Sequence, residues 1–350
     1  MGFAKLWDMN VCVVGAGIMG ACTARELARR GHRVTVYDQF EPGHRMGSSH
    51  GLSRIVRKAY PDPFYTSLMA EGYGMWREID RESPEPILHE VGLMYFGQRS
   101  SPNMVSMARG LTAVDERFEL LEGDQARREF PSLRLTPGEV GVWTPHAGWV
   151  HASKAVHWIL AAAERAGAEI ERKRVMEPLA LAESFDAVVL CPGGWIRDFV
   201  PVPVRVTLQT FVYVRQHLAG PVWIEDGPDL MYGFPSEPGQ GSFKIGVHSD
   251  GPVVNPSLPG REPSGDAIEK VADVCDRRFG LHDIEIEGAQ GCLYTRTPDE
   301  DFRFGALEGN VFWASVCSGH GFKFGPWVGR FLSNVVEGRE SIDKYPRFAR

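Results

Sequence analysis

No run of about 18 uncharged apolar residues occurs in this chain, so a helix crossing a bilayer is not expected. Positive charge is in deficit: 38 Lys and Arg stand against 45 Asp and Glu, a formal net charge of −7 at pH 7. Without a basic excess there is little to hold a phosphate backbone or an anionic lipid, which removes nucleic acid and membrane surface as default partners. The six cysteines, Cys12, Cys22, Cys191, Cys275, Cys292 and Cys317, form no Cys-x-x-Cys pair. That spacing argues against a zinc centre or a disulfide framework, so no metal is expected. It suits a reducing compartment, with the cytoplasm as the expected address. The N-terminal residues carry no long apolar stretch ahead of a small-residue cleavage site, so no secretory leader is expected. Met1-Gly2 opens like a myristoylation signal, but Leu6 stands where Ser or Thr is wanted. Repeats and low-complexity tracts are missing too. What is present is ordinary globular material: 43% hydrophobic and 11% aromatic residues over 350 positions. That is enough to bury a core without staples, and the length suggests about two domains.

Along the chain, Val11-Cys12-Val13-Val14 reads as a buried parallel strand and Gly15-Ala16-Gly17-Ile18-Met19-Gly20 as the turn after it. A helix follows through Ala28 and stops at Gly31. A second strand from Arg33 to Tyr37 ends at Asp38 and completes a βαβ unit. After a polar, glycine-rich turn over 43–51, a helix is expected over 63–80, capped by Asp62, with Phe64, Leu68, Trp76 and Ile79 as its core stripe. Residues 84–145 read as Pro-rich and irregular, with short strand-like pieces such as 92–96. Helices are expected over 153–166, 266–279 and 322–336, and strands over 187–190, 207–214, 242–248 and 311–316. An order of α/β, then β, then α/β suggests two domains, with the chain leaving the first and returning to it.

Gly15-x-Gly17-x-x-Gly20 follows a strand, opens a helix, and is followed 18 residues past its last glycine by Asp38 at a strand end. Such glycines let backbone N–H groups approach a pyrophosphate at the positive end of a helix, while Asp38 can accept a bond from a ribose. The pattern does not separate NAD from FAD. In the segment from Gly47 to Tyr60, Arg54 and Arg57 are three apart; they share a face on a helix, point oppositely on a strand, and as a solvated basic face need no function. Cys317-Ser318-Gly319-His320-Gly321-Phe322-Lys323-Phe324 is a strand–turn–helix passage that receives negative charge or merely caps a helix.

Taken together, the residues resemble the monomeric sarcosine oxidase family of flavin amine oxidases, which includes N-methyltryptophan and pipecolate oxidases. The resemblance runs from about residue 10 to 337. It is carried by Gly-Ser-Ser-His-Gly-x-Ser-Arg-x-x-Arg-x-Ala-Tyr from Gly47, Tyr232-Gly-Phe-Pro, Lys244-Ile-Gly-Val-His248, Cys292-Leu-Tyr-Thr-x-Thr-Pro-Asp, and Ser318-Gly-His-Gly-Phe-Lys323. The resemblance implies FAD, held covalently through Cys292 by a thioether to the 8α-methyl group. It implies that Lys244 lies near flavin N5 and promotes reaction with oxygen, and that Arg54 lies against the flavin. Arg57 and Lys323 are then expected to hold the substrate carboxylate, with Tyr232 and His248 lining the substrate pocket. The expected catalytic set is Lys244, Arg54 and His248. The expected cofactor contacts are Gly15, Gly17, Ile18, Met19, Gly20, Asp38, Ser49, His50, Cys292, Gly319, His320, Gly321 and Lys323.

The implied fold class is α/β (α+β overall), a Rossmann-type FAD-binding domain with a second, β-rich substrate domain. The former is expected over 1–85, 141–203 and 286–350, the latter over 86–140 and 204–285. The implied reaction oxidises a secondary or cyclic amino acid, sarcosine-like or pipecolate/proline-like, to an imine while O2 becomes H2O2. The partners are then the small-molecule amino acid and O2, and the chain acts as a monomer. Two alternatives keep the flavin: an amine dehydrogenase with a non-oxygen acceptor, which Lys244 argues against, and a deglycating fructosyl amino acid oxidase. A flavoprotein that binds without turnover has no need of Arg57, Lys323, Lys244 and Cys292 together. The chain departs from the family in being short, with the missing loops expected in 84–145 or the β domain. It also carries Pro326-Trp327, where smaller residues are expected and an altered pocket would follow.

Overall fold

The structure, a computed structural model, describes residues 8–249 and 251–349. The leader and myristoylation readings, which rest on the N-terminal residues, therefore lie largely outside the described residues. One layer is a six-stranded sheet in the order β16-β17-β10-β1-β2-β9, built from β1 (Asn10–Val14), β2 (Arg33–Asp38), β9 (Glu169–Arg172), β10 (Ala187–Leu190), β16 (Arg303–Leu307) and β17 (Val311–Ser315). All its pairings are parallel except β16 with β17. β1 is Val and Cys, buried from Val11 to Val14, as a strand covered on both faces must be. Helices α1 (Ile18–Arg29), α5 (Ala152–Arg165) and α8 (Gly325–Val336) pack beside it. α8 comes so close to α1 that a Cβ on Gly329 would sit 2.6 Å from the Cys22 backbone.

The second layer is an eight-stranded sheet in the order β15-β11-β14-β13-β12-β5-β7-β6. Its strands are β5 (Leu93–Gln98), β6 (Glu119–Leu121), β7 (Glu139–Thr144), β11 (Arg205–Val214), β12 (Val222–Glu225), β13 (Met231–Phe234), β14 (Phe243–Val247) and β15 (Ile286–Arg296). A small sheet, β3 (Ser53–Val56), β8 (Gly148–His151) and β4 (Leu88–His89), joins the two layers. α2 (Pro63–Glu82) starts at the Asp62 cap, whose carboxylate accepts the Phe64 N–H at 2.9 Å. Short helices α4 (Gly123–Glu129) and α6 (Pro178–Leu181) fill connections, and α7 (Gly265–Val274) continues into one π turn over Cys275–Phe279.

Three sequence expectations differ from this architecture. Residues 84–145 are ordered rather than irregular: α3 (Pro102–Ala113) buries Met104, Met107 and Leu111 at helical spacing, behind a proline that opens the helix instead of breaking it. Sheet membership departs from the expected boundaries at 141–144 and 286–296, because β7 pairs with β5 and β15 pairs along its length with β11. Finally, Pro326 and Trp327 do not reach the large cavity described below. Trp327 is buried against Phe304 and stacks on Phe331 at 5.5 Å, so its bulk fills the core.

Arg278, on the π turn, locks α7 to the second sheet. Its guanidinium donates to both Glu139 carboxylate oxygens at 2.7 Å and to Glu225 at 2.6 Å while only 4% exposed. Arg278→Met leaves the buried Glu139 carboxylate without its ion partner and the half-buried Glu225 with Arg277 alone, a loss of about 3–5 kcal/mol. Equilibrium denaturation should show a clearly lower midpoint; an unchanged one would mean the network contributes nothing.

Candidate active site

The turn between β1 and α1 is shaped by backbone crowding. Gly15 has φ +105°, and a Cβ there would lie 2.4 Å from the Cys191 carbonyl oxygen; a Cβ on Gly20 would lie 1.8 Å from the Gly15 oxygen. Asp38 at the end of β2 accepts the Ala16 N–H at 2.7 Å and the Phe40 N–H at 2.9 Å. Burial pushes its carboxyl up, but hydrogen bonds from His44 and those two N–H groups outweigh this and hold it below the usual range. Ser49 Oγ accepts the Ile18 N–H at 3.0 Å, so the 47–51 loop lies over the start of α1. On the other side Ser48 Oγ donates to the Leu293 carbonyl at 2.7 Å.

This loop crosses a cavity of about 770 Å³ whose walls come from both large sheets. Arg54, Arg57, Lys244 and Lys323 are among the cations that line it. Arg54 donates to the carbonyls of Ser48 at 3.0 Å, His50 at 2.7 Å and Ser53 at 2.9 Å, and lies 3.5 Å from Cys292 Sγ. Lys244 on β14 donates to the Ser53 carbonyl at 2.9 Å, with the Phe211 and Phe234 rings at 4.5 and 4.6 Å. Arg57 follows β3, donates to the Ala59 carbonyl and lies 4.0 Å over the Tyr60 ring. Lys323 donates to Tyr60 Oη at 2.9 Å and to the His320 carbonyl at 2.7 Å. Burial, then the charge of Arg54 or Arg57, pulls both lysines well below the ordinary lysine range. Among the described residues no carboxylate lies within 4.0 Å of Arg54, Arg57, Lys244 or Lys323.

The remaining walls are aromatic and imidazole. Tyr232 Oη meets Tyr294 Oη at 3.2 Å. Gly319, at φ +76°, has no room for a Cβ, which would fall 2.3 Å from the Tyr294 ring and 2.7 Å from His248. Burial, reinforced by Arg296, pushes His248 down to about 3. His320 is displaced the same way by burial and Lys323. His50 is buried, and its Nε2 has no hydrogen-bond partner; burial and then Arg54 push it down to about 4. Of the residues singled out in the sequence, Gly20 alone does not line the cavity; it packs against Gly15 instead.

A crowded glycine turn, an ionised aspartate, an orphaned imidazole nitrogen and cations without carboxylate partners around one large cavity fit a dinucleotide with a reactive ring at its inner end. The profile of a family described as FAD dependent oxidoreductase matches residues 10–335. The chain belongs to this family. It is similar to human peroxisomal sarcosine oxidase, 31% identical over 93% of this chain and 91% of the relative. It is similar to monomeric sarcosine oxidase from Streptomyces avermitilis, also 31% identical, over 93% of each chain. Among solved structures, the open form of NikD, an amino acid oxidase of nikkomycin biosynthesis, shares the fold with a TM-score of 0.81 at 21% identity over 97% of each chain.

In this FAD-dependent oxidoreductase several cavity residues escape sequence reasoning. Ser53 holds Lys244 through a backbone carbonyl, and Phe211 flanks that lysine from another strand; neither contact leaves a side-chain signature. Tyr60 meets Arg57, Lys323 and His320, the last at 3.3 Å from Oη. Its signal was present as the tyrosine ending the Arg-x-x-Arg segment.

The buried imidazoles set a pH dependence. Unfolded histidine titrates near 6.5, whereas His248 takes up its proton only at about 3 and His50 at about 4. Between these limits the unfolded chain binds protons that the folded chain refuses, so stability is complete above pH 6.5 and falls on acidification by up to ~1.4 kcal/mol per pH unit per histidine. Thermal melts from pH 7 to 4 should show the falling midpoint, with a shallower slope in His248→Gln. Parallel profiles for the two proteins would count against the assignment.

Proposed function

We propose that this enzyme oxidises the C–N bond of an N-alkylated or cyclic amino acid to the imine and passes the electrons to O2, releasing H2O2. The observation that carries the reading is the pair Arg57 and Lys323, which come from distant parts of the chain, converge on Tyr60 in the cavity, and have no carboxylate of their own. Two buried cations in an aromatic pocket are satisfied by an anion. A substrate carboxylate supplies one, and bound there it fixes the adjacent Cα and nitrogen in a single orientation. Bound FAD is the two-electron acceptor. His248 stays neutral across the working range and so adds no competing positive charge beside the substrate nitrogen. The nitrogen itself must be unprotonated to react, so the rate rises with pH.

Cys292 lies on β15 opposite Gln209, with Arg54 beside its sulfur, and we assign it the covalent link to FAD. To Lys244, held by Ser53 in the cavity wall, we assign the stabilisation of negative charge that develops as O2 is reduced. Segments of the six-stranded sheet form the FAD-binding half, and the eight-stranded sheet forms most of the substrate half. Similarity to a relative named monomeric sarcosine oxidase supports a monomer. Six free cysteines support a reducing compartment such as the cytoplasm.

The substrate reading is tested with an anaerobic flavin-bleaching panel of sarcosine, N-methyltryptophan, proline, pipecolate and a fructosyl amino acid, followed by peroxide yield in air. Peroxide should match amine oxidised, and Lys323→Met should raise KM at least tenfold for amino acids while leaving decarboxylated amines unaffected. Equal reduction by dimethylamine and sarcosine in wild type would remove the carboxylate clamp. The covalent reading has its own test. Acid precipitation should leave yellow colour in the native pellet and release it from Cys292→Ser; colour wholly in the native supernatant would rule out the link.

A further inference from the structure

We propose that Leu230 sets the size of the substrate side chain and that this side chain is apolar, an inference that rests on Arg57 and Lys323 forming the carboxylate site. Residues 226–230 connect β12 to β13 and are tied down at both ends. Asp226 accepts hydrogen bonds from Tyr95 Oη at 2.9 Å, Asn103 Nδ2 at 2.8 Å and Ser101 Oγ at 2.5 Å, and its N–H donates to the Phe96 carbonyl at 2.7 Å. Asp229 pairs with Lys270 and accepts Ser249 Oγ at 2.9 Å, while its carbonyl accepts the His248 N–H at 3.2 Å. Between the second anchor and the start of β13, Leu230 is held at φ +42°, a region leucine rarely occupies. The conformation is therefore imposed by its tethers, and Leu230 is left lining the cavity and packed with Tyr95, Ile224, Tyr232 and Phe234.

The chemistry of this end follows from which polar atoms are already used. Tyr95 Oη and the Asn103 amide nitrogen are committed to Asp226, and Tyr232 Oη to Tyr294. Tyr95, Ile224, Leu230 and Phe234 thus present carbon to whatever enters, and a charged side chain placed against these four would lose water without gaining a partner from any of them. The Arg57 guanidinium lies 5.8 Å from the Tyr95 ring centroid, so Tyr95 borders both the carboxylate site and the apolar end. A single substrate spans both.

The experiment compares wild type, Leu230→Gly and Leu230→Phe. Glycine takes the left-handed conformation freely, so that variant keeps the loop while removing the side chain. Substrates are sarcosine and the N-methyl derivatives of alanine, leucine, phenylalanine and aspartate. Leu230→Gly should raise kcat/KM for the leucine and phenylalanine derivatives relative to sarcosine by about tenfold or more, Leu230→Phe should lower it, and the aspartate derivative should be poor in all three. In parallel, acetate, 4-methylpentanoate and 3-phenylpropanoate are titrated into each holoenzyme and read as flavin absorbance changes, which ranks the pocket without turnover. A purely structural role for Leu230 would move all substrates and acids equally and overturns the proposal, as does a preference for the aspartate derivative over the leucine one. If the acids bind in the expected order but no N-methyl amino acid is oxidised, the reaction reading fails while the slot stands.

Discussion

Positive charge without a matching carboxylate is the constraint around which this cavity is built. A buried, unpaired ion costs several kcal/mol, and here Arg54, Arg57, Lys244 and Lys323 face one enclosed space. The protein softens the cost in two ways: by backbone carbonyls (Ser53 for Lys244, His320 for Lys323) and by ring faces, Tyr60 under Arg57 and Phe211 with Phe234 around Lys244. Neither device neutralises a charge, and the two lysines answer by binding their protons more weakly than usual. In the proposed reaction, negative charge arriving on a substrate carboxylate, or on oxygen as it accepts electrons, completes the electrostatics. The site is organised for anions before any is bound.

Holding four like charges in place requires rigid supports from both halves of the molecule. The 47–54 segment supplies the connection: Ser49 fastens it to the start of α1, Ser48 to β15, and Arg54 ties its own loop carbonyls to Cys292. Because Lys244 bonds to the carbonyl of Ser53, the second sheet is attached to the same segment. A displacement of this one loop would move the glycine turn, Cys292 and Lys244 together. The 226–230 loop plays the corresponding part in the cavity wall around Leu230, joining Tyr95 to the residues after β14 through two aspartates.

Much of the first sheet was legible along the chain because its signals are local. Val11–Val14, the glycine turn, Asp38 and the Asp62 cap each depend on neighbours a few residues away, and the helix after Gly17 needs only its own periodicity. The stretch 84–145 was misread for the opposite reason. Its prolines look like breakers in isolation, but Pro102 sits where a helix begins and needs no N–H, and β5 is sheltered only once β12 and β7 lie beside it. An altered pocket is expected from Trp327 because the resemblance puts smaller residues there; the turn of α8 carries it into the Phe304 and Phe331 core instead.

By itself the sequence determined the dinucleotide-binding βαβ unit, the α/β class, and the residue types able to bind an anion and an FAD, since all of these follow from short-range spacing and side-chain chemistry. Tertiary structure decided what those types do together. That Arg57 and Lys323 share Tyr60, that Lys244 is flanked by two rings, that Cys292 lies beside Arg54, and that Leu230 is forced into the cavity all arise from contacts between strands and loops far apart in the chain. Periodicity says which face of an element is buried. Only the pairing of β11 with β15 and β12 with β5 says against what, because strand register is chosen by the whole sheet at once.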